Sequence, residues 1–183
     1  MTGWLLSVAG RRVAFGHLLL VFLMISGCAV LGRDSVGDRD LRRAVLEDQS
    51  FTVEEVPEGA PAHRAASFRL AAEGYRALQS GHVREAEDRL EKALSVDPRN
   101  PFCYLYLAEI RYLEGDTGQA LIFLNQAEVQ FQGHPYWLGE VYTRKGLYWE
   151  ALDSTDKAQS AYGKALEYNP WNEESRQKVE QSY

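Results

Sequence analysis

Small and bulky apolar residues return at fixed intervals along residues 67–172, against a polar background. Gly81 and Gly115 are 34 apart, as are Ala86 and Ala120, and Ala93 and Ala127. When Ala86, Ala120 and Ala158 are aligned, Ala93, Ala127 and Ala165 fall into step seven residues later, two helical turns on. Gly74, Ala108 and Gly146 align upstream of them, with bulky Leu70 and Leu90, Tyr104 and Leu124, and Tyr142 and Tyr162 on either side. Small side chains at a shared register let two helix axes approach, and large neighbours fill the flanks. The pattern therefore predicts paired helices, three pairs in all. Gly81 and Gly115 suit left-handed ends of first helices. Asp116 or Thr117, and Ser154 or Thr155, suit caps of the second helices, and Pro101 after Asn100 suits a first helical turn.

This pattern resembles the tetratricopeptide repeat, a helix–turn–helix unit of 34 residues. The units fall at 67–100, 101–134 and 139–172 within an array spanning 62–172, with four extra residues between the second and third. Pro98 and Pro170 close the first and third units after Asp97 and Asn169, whereas Gln132 stands where the second unit should have proline. Trp149 keeps an aromatic that Ala77 and Arg111 replace in the other units. The expected fold is all-α, a solenoid of about three repeats. Residues 173–183 read as a polar capping helix, since the last apolar face of a repeat stack otherwise lies bare.

The amino-terminal region is built differently. Arg11 and Arg12 precede an apolar stretch from about Leu18 to Ile25, followed by Ser26, Gly27 and Cys28. This arrangement resembles the bacterial lipoprotein signal, with Ile25, Ser26, Gly27 and Cys28 filling its four lipobox places. The resemblance implies removal of residues 1–27 and acylation of Cys28. Ala29, where many inner-membrane lipoproteins carry Asp, favours the outer membrane, with the chain facing the periplasm. Two alternatives stay open: the 20 residues from Val13 to Gly32 lack charge and are long enough to span a bilayer uncleaved, or the protein is freely secreted. Residues 28–61 form an acidic segment. Asp38 to Asp48 has the makings of one short helix, with Leu41, Val45 and Leu46 on one side, and Pro57, Gly59 and Pro61 mark a linker. Either this segment is flexible, with a reach of roughly 35 Å, or Leu41–Leu46 packs on the first repeat.

Charge narrows the partners. Without residues 1–27 the chain keeps eighteen basic and twenty-six acidic residues, a net charge of −8. That excess argues against nucleic acid, whose phosphates need a basic surface. Cys103 would be the one cysteine left besides the acylated one, so no internal disulfide is available. His63, His82 and His134 are scattered without metal-ligand spacing, and Glu54–Glu55 and Glu173–Glu174 read as solvated charge. No catalytic set, metal site or cofactor is expected.

Binding remains. In tetratricopeptide arrays, positions 2, 5, 9 and 12 of the first helices line a concave groove. The resemblance places Phe68, Ala71, Tyr75 and Leu78 there, then Phe102, Leu105, Glu109 and Tyr112, then Glu140, Thr143, Leu147 and Glu150. The first two sets are mostly apolar and the third acidic, which suits an extended or helical segment with basic residues at one end. The opposing outcome is that the aromatics are covered by the amino-terminal segment or belong to the core. The Lys and Asn of a carboxylate clamp are absent at these positions, which argues against an acidic C-terminal tail as ligand. The resulting expectation is a lipid-anchored adaptor for protein partners in envelope assembly, serving a pilus, a secretion pore or an outer-membrane complex. A regulator of a peptidoglycan-modifying enzyme and a self-associating structural module are the alternatives.

Overall fold

The computed structural model describes residues 36–49 and 51–181. The expected signal segment, residues 1–27, and Cys28 lie outside the described residues. Those residues form eight helices: α1 (Val36–Gln49), α2 (Ala62–Gln79), α3 (Val83–Val96), α4 (Pro101–Leu113), α5 (Thr117–Gln130), α6 (Pro135–Ala151), α7 (Thr155–Tyr168) and α8 (Glu173–Glu180). Among them no helix is long and apolar enough to cross a membrane. From Asp38 onward the chain is one compact unit. Helices α2 with α3, α4 with α5, and α6 with α7 pack as hairpins, each joined to the next pair, and α8 closes the row against α7.

The small residues at the crossings hold the pairs together. Ala86, Ala93, Ala108, Ala120, Ala127, Ala158 and Ala165 are all fully buried. At Gly146 a β-carbon would stand 2.3 Å from Cε1 of Tyr162, and at Gly74 one would stand 2.9 Å from Cγ of Leu90. The first helices end through left-handed residues: Gly81 (φ 78°), Gly115 (φ 84°) and, at the corresponding place in the third pair, Asp153 (φ 53°). Each turn is locked by the same amide, from His82 to the Ala77 carbonyl, Asp116 to Arg111 and Ser154 to Trp149, all at 2.9 Å. Asn100, Asp116 and Asn172 cap α4, α5 and α8 through their side chains. Ser154, expected as a cap, makes no such bond, because its hydroxyl turns back to the Leu152 carbonyl at 3.3 Å.

Between repeats the chain turns on buried polar residues. Asp97 accepts from the Arg99 amide and the Arg64 guanidinium, both at 3.1 Å, while Asn100 donates to Ser67 Oγ at 3.0 Å and Ser67 donates to the Ala93 carbonyl at 2.9 Å. Burial would raise the Asp97 carboxyl, but the Arg99 amide and the Arg64 guanidinium outweigh it and hold it below the usual range. Asn169 and Asn172 rebuild this turn after the third pair.

Two departures from the regular repeat prepare the functional face. The four extra residues 135–138 form an added first turn of α6, so that helix has 17 residues against 13 in α4. The stretch read as a linker is packed: beyond α1, Phe51, Val53 and Val56 lie on the apolar core of the repeats. Helix α1 meets the third pair rather than the first. Its Arg42, Val45 and Leu46 share a cavity of about 470 Å³ with Tyr136, Glu140 and Trp171.

Candidate functional site

Helices α2, α4 and α6 present an inner face, and residues 48–49 and 51–56 lie across one end of it as a strap. Helix α6 opens with Pro135, which has no amide hydrogen, so Tyr136 and Trp137 carry its first free N–H groups. Both point at the Asp48 carboxylate, at 3.0 and 3.4 Å, and His134 Nδ1 lies 2.6 Å from the other oxygen. A carboxylate at this helix end also meets the favourable dipole. Trp137 Nε1 donates to the Phe51 carbonyl at 2.7 Å. The Phe51 ring stacks on His134 at 4.7 Å and leans on Phe102 at 5.2 Å and Phe68 at 6.0 Å. Val53 follows, 3% exposed, while Glu54 and Glu55 face solvent.

Beyond the strap the same face is open and lined with tyrosines. Tyr75 stacks on Tyr106 at 4.5 Å, and Tyr112 stacks on Tyr148 at 4.2 Å. In each pair one ring is buried, Tyr106 and Tyr148, and burial pushes those two hydroxyls far above the ordinary phenol range. They are neutral groups at any physiological pH. Tyr112 is 37% exposed, enough to present a ring edge to a partner. Arg144 stands beside this ladder, with Nη1 at 3.3 Å from Glu140 and Nη2 at 4.0 Å from Glu109.

The tetratricopeptide-repeat family model matches residues 77–139, from within α2 to the start of α6. The described helices have a tetratricopeptide-like fold. Among solved structures, the first such domain of Spaghetti (RPAP3), bound to an HSP90 peptide, is similar at 24% identity and a TM-score of 0.57, over 64% of this chain and 90% of that one. The amino-terminal domain of stress-induced protein-1 from C. elegans is similar at 16% identity and a TM-score of 0.61, over 68% and 100% of the two chains. MamA is similar at 19% identity and a TM-score of 0.57, over 81% and 83%. At these identities the likeness is one of fold. Among curated proteins none matches the chain.

Placed on these repeats, the expected groove residues divide. Phe68, Ala71, Leu78, Phe102, Leu105 and Thr143 are buried, which makes them core or strap-covered floor rather than open surface. Leu105 in particular is fully buried and does not form an accessible floor. Tyr75, Glu109, Tyr112, Glu140, Leu147 and Glu150 reach solvent in part or more. The acidic end expected at Glu109, Glu140 and Glu150 is offset in part, three carboxylates against two cations. Arg144 serves the first two, Asn172 Nδ2 also donates to Glu140 at 2.9 Å, and Lys178 meets Glu150 at 2.6 Å. Tyr106, Tyr148 and Arg144 fall outside positions 2, 5, 9 and 12, so the repeat register did not point to them. Asp48 comes from the end of the segment read as a short helix, Phe51 and Val53 from the stretch read as a linker, His134 from the end of the second unit and Trp137 from the extra turn; the alternation Phe51-Thr52-Val53 was the one local signal among them.

The rest of the chemistry is quiet. Cys103 is buried, and burial pushes its thiol far above the ordinary range, so it is a packing residue without nucleophilic character. His63 and His82 are exposed at the starts of α2 and α3, whereas His134, at the start of α6, is partly exposed and held by Asp48 and Phe51. Among the described residues no group of three or more His, Cys, Asp or Glu side chains is arranged to hold a metal ion.

Proposed function

We propose that this protein is a lipid-anchored, extracytoplasmic adaptor that captures protein partners on the inner face of its repeats during bacterial envelope assembly. Anchoring through Cys28 to the outer membrane rests on the lipobox residues Ile25-Ser26-Gly27-Cys28 and on Ala29 after them. Two or three acyl chains hold a protein firmly, at about 0.8 kcal/mol per buried methylene, whereas one chain does so only marginally.

The observation that carries the protein-binding reading is the strap. A face that already holds a turned segment of the chain, through helix-end amides, an indole N–H and an aromatic cluster, offers the groups that peptide recognition uses, which supports a peptide-binding reading. The Spaghetti domain bound to the HSP90 peptide SRMEEVD supports a peptide as the type of ligand. Residues 53–56 here read Val-Glu-Glu-Val, close to its Met-Glu-Glu-Val, although the two carboxylates at Glu54 and Glu55 face solvent and the valines point inward.

Labelling cells with radioactive palmitate and fractionating their membranes tests the anchor. The native chain is expected to carry label and to sediment with outer membranes, and Cys28→Ala to lose the label and accumulate as unprocessed precursor. Equal labelling of the two would overturn the anchor. Affinity capture from detergent-solubilised envelopes, with Tyr75→Ala/Tyr112→Ala as control, tests the adaptor reading; a partner captured equally by both would place binding elsewhere.

A further inference from the structure

We propose that residues 48–56 are a built-in competitor, and that the partner segment shares their anchors: a carboxylate, an aromatic ring three residues later and a β-branched aliphatic two residues beyond. This deepens the adaptor reading and rests on it. The strap shows what each part of the face selects. The free amides of Tyr136 and Trp137 and the ring nitrogen of His134 converge on one carboxylate, that of Asp48. A neutral side chain there would leave the α6 end without its countercharge. Three residues on, the box of His134, Phe102 and Phe68 takes a flat ring, and the Trp137 indole reads the backbone carbonyl of that same residue. Two residues further, the burial of Val53 accepts a short branched side chain and no polar one. Thr52 is only partly buried and Glu54 and Glu55 are exposed, Glu54 making a solvent-exposed ion pair with Arg76 at 3.7 Å, so the intervening positions carry less of the selection.

The strap is also built to leave. On its amino-terminal side, Val45 and Asp48 are the buried residues of α1, Leu46 is 58% exposed, and a cavity separates that helix from Trp171 and Glu140. On its carboxy-terminal side, Glu58, Gly59 and Pro61 are exposed, and Gly59 takes a left-handed φ of 71° in a turn closed by the Ala60 amide on the Pro57 carbonyl at 3.1 Å, which is where the strap would hinge ahead of α2. Departure would uncover Phe68 and Phe102, which lie on the same helices as Tyr75, Tyr106 and Tyr112, and so would extend the open tyrosine face. Being tethered, the strap acts at an effective concentration in the millimolar range. A partner therefore binds with an apparent affinity reduced by the fraction of molecules whose face is covered.

The test uses a fluorescent synthetic peptide of residues 45–58 and the detergent-solubilised full chain. Phe51→Ala/Val53→Ala, which weakens the internal copy, is expected to bind the peptide at least tenfold more tightly than the native chain. A peptide with alanine in place of its own Asp48 and Phe51 is expected not to bind. Asp48→Asn keeps every apolar contact and is expected to show a several-fold gain; it decides the matter should the double variant lose its helicity. If a folded variant binds the peptide no more tightly than the native chain does, the strap is a fixed part of the core and the proposal falls. Tyr112 makes no contact with the strap, so cross-linking from that position tests the adaptor reading separately.

Discussion

Gly146 and Tyr162 meet so closely that one methyl group decides whether the third pair closes. Alanine at 146 would place its β-carbon within 2.6 Å of three atoms of a fully buried ring. Overpacking of this kind costs about 1–3 kcal/mol, partly offset by the better helix propensity of alanine, about 1 kcal/mol. Gly163 on α7 has nothing within 4 Å of such a carbon. Gly163→Ala is therefore expected to raise the urea midpoint and Gly146→Ala to lower it; the same sign for both would refute the close crossing. Asp153 offers the converse. It occupies a left-handed conformation that Gly81 and Gly115 adopt at no steric cost. Asp153→Gly should stabilise by about 0.5–1 kcal/mol in the same assay. These small-residue contacts were legible in the sequence because they recur with the repeat. Asp153 was not, since aspartate signals a turn without saying which residue takes the positive φ.

The turn between repeats behaves as an element with its own pH response. Asp97 titrates below its unfolded value, so its stabilising contribution is complete above about pH 4 and is lost as pH falls through the folded value. Asp97→Asn is expected to cost about 1–3 kcal/mol at neutral pH. The gap between native and variant proteins should then narrow below pH 4. A gap that widened on acidification would mean the carboxyl is not held by Arg64 and the Arg99 amide. The helix pairs themselves were readable from period and caps. The extra turn of α6 was visible only as four residues out of register, with no hint that it would aim Tyr136 and Trp137 at Asp48, 88 positions upstream of Tyr136. Contacts at such separation leave no periodic trace, and the prolines at 57 and 61 looked like linker. Asp48→Ala should cost about 1 kcal/mol, as for loss of a helix cap, and should speed hydrogen exchange at the Tyr136 and Trp137 amides. Unchanged exchange there would deny the cap.

At the scale of the molecule, three helix pairs, a closing helix and a strap leave one face half covered and half open. The groove expected from the repeat register coincides with this face, but much of its floor is core. The residues that reach solvent at its open end include Tyr75 and Tyr112, beside Arg144 in its pairing with Glu140 and Glu109. Register identifies the helix that lines a surface; which of its side chains stay exposed depends on what else lies on top, and here that is the chain's own segment. The claim that this face meets the partner is tested most directly by a photo-cross-linking amino acid placed at Tyr112 or, on the second-helix layer, at Ile122, which is 53% exposed on α5. Irradiation of intact cells should yield a discrete partner adduct from position 112 and none from 122, and Tyr75→Ala should diminish the adduct. An adduct from 122 with none from 112 would contradict the account and move the working surface to the second helices.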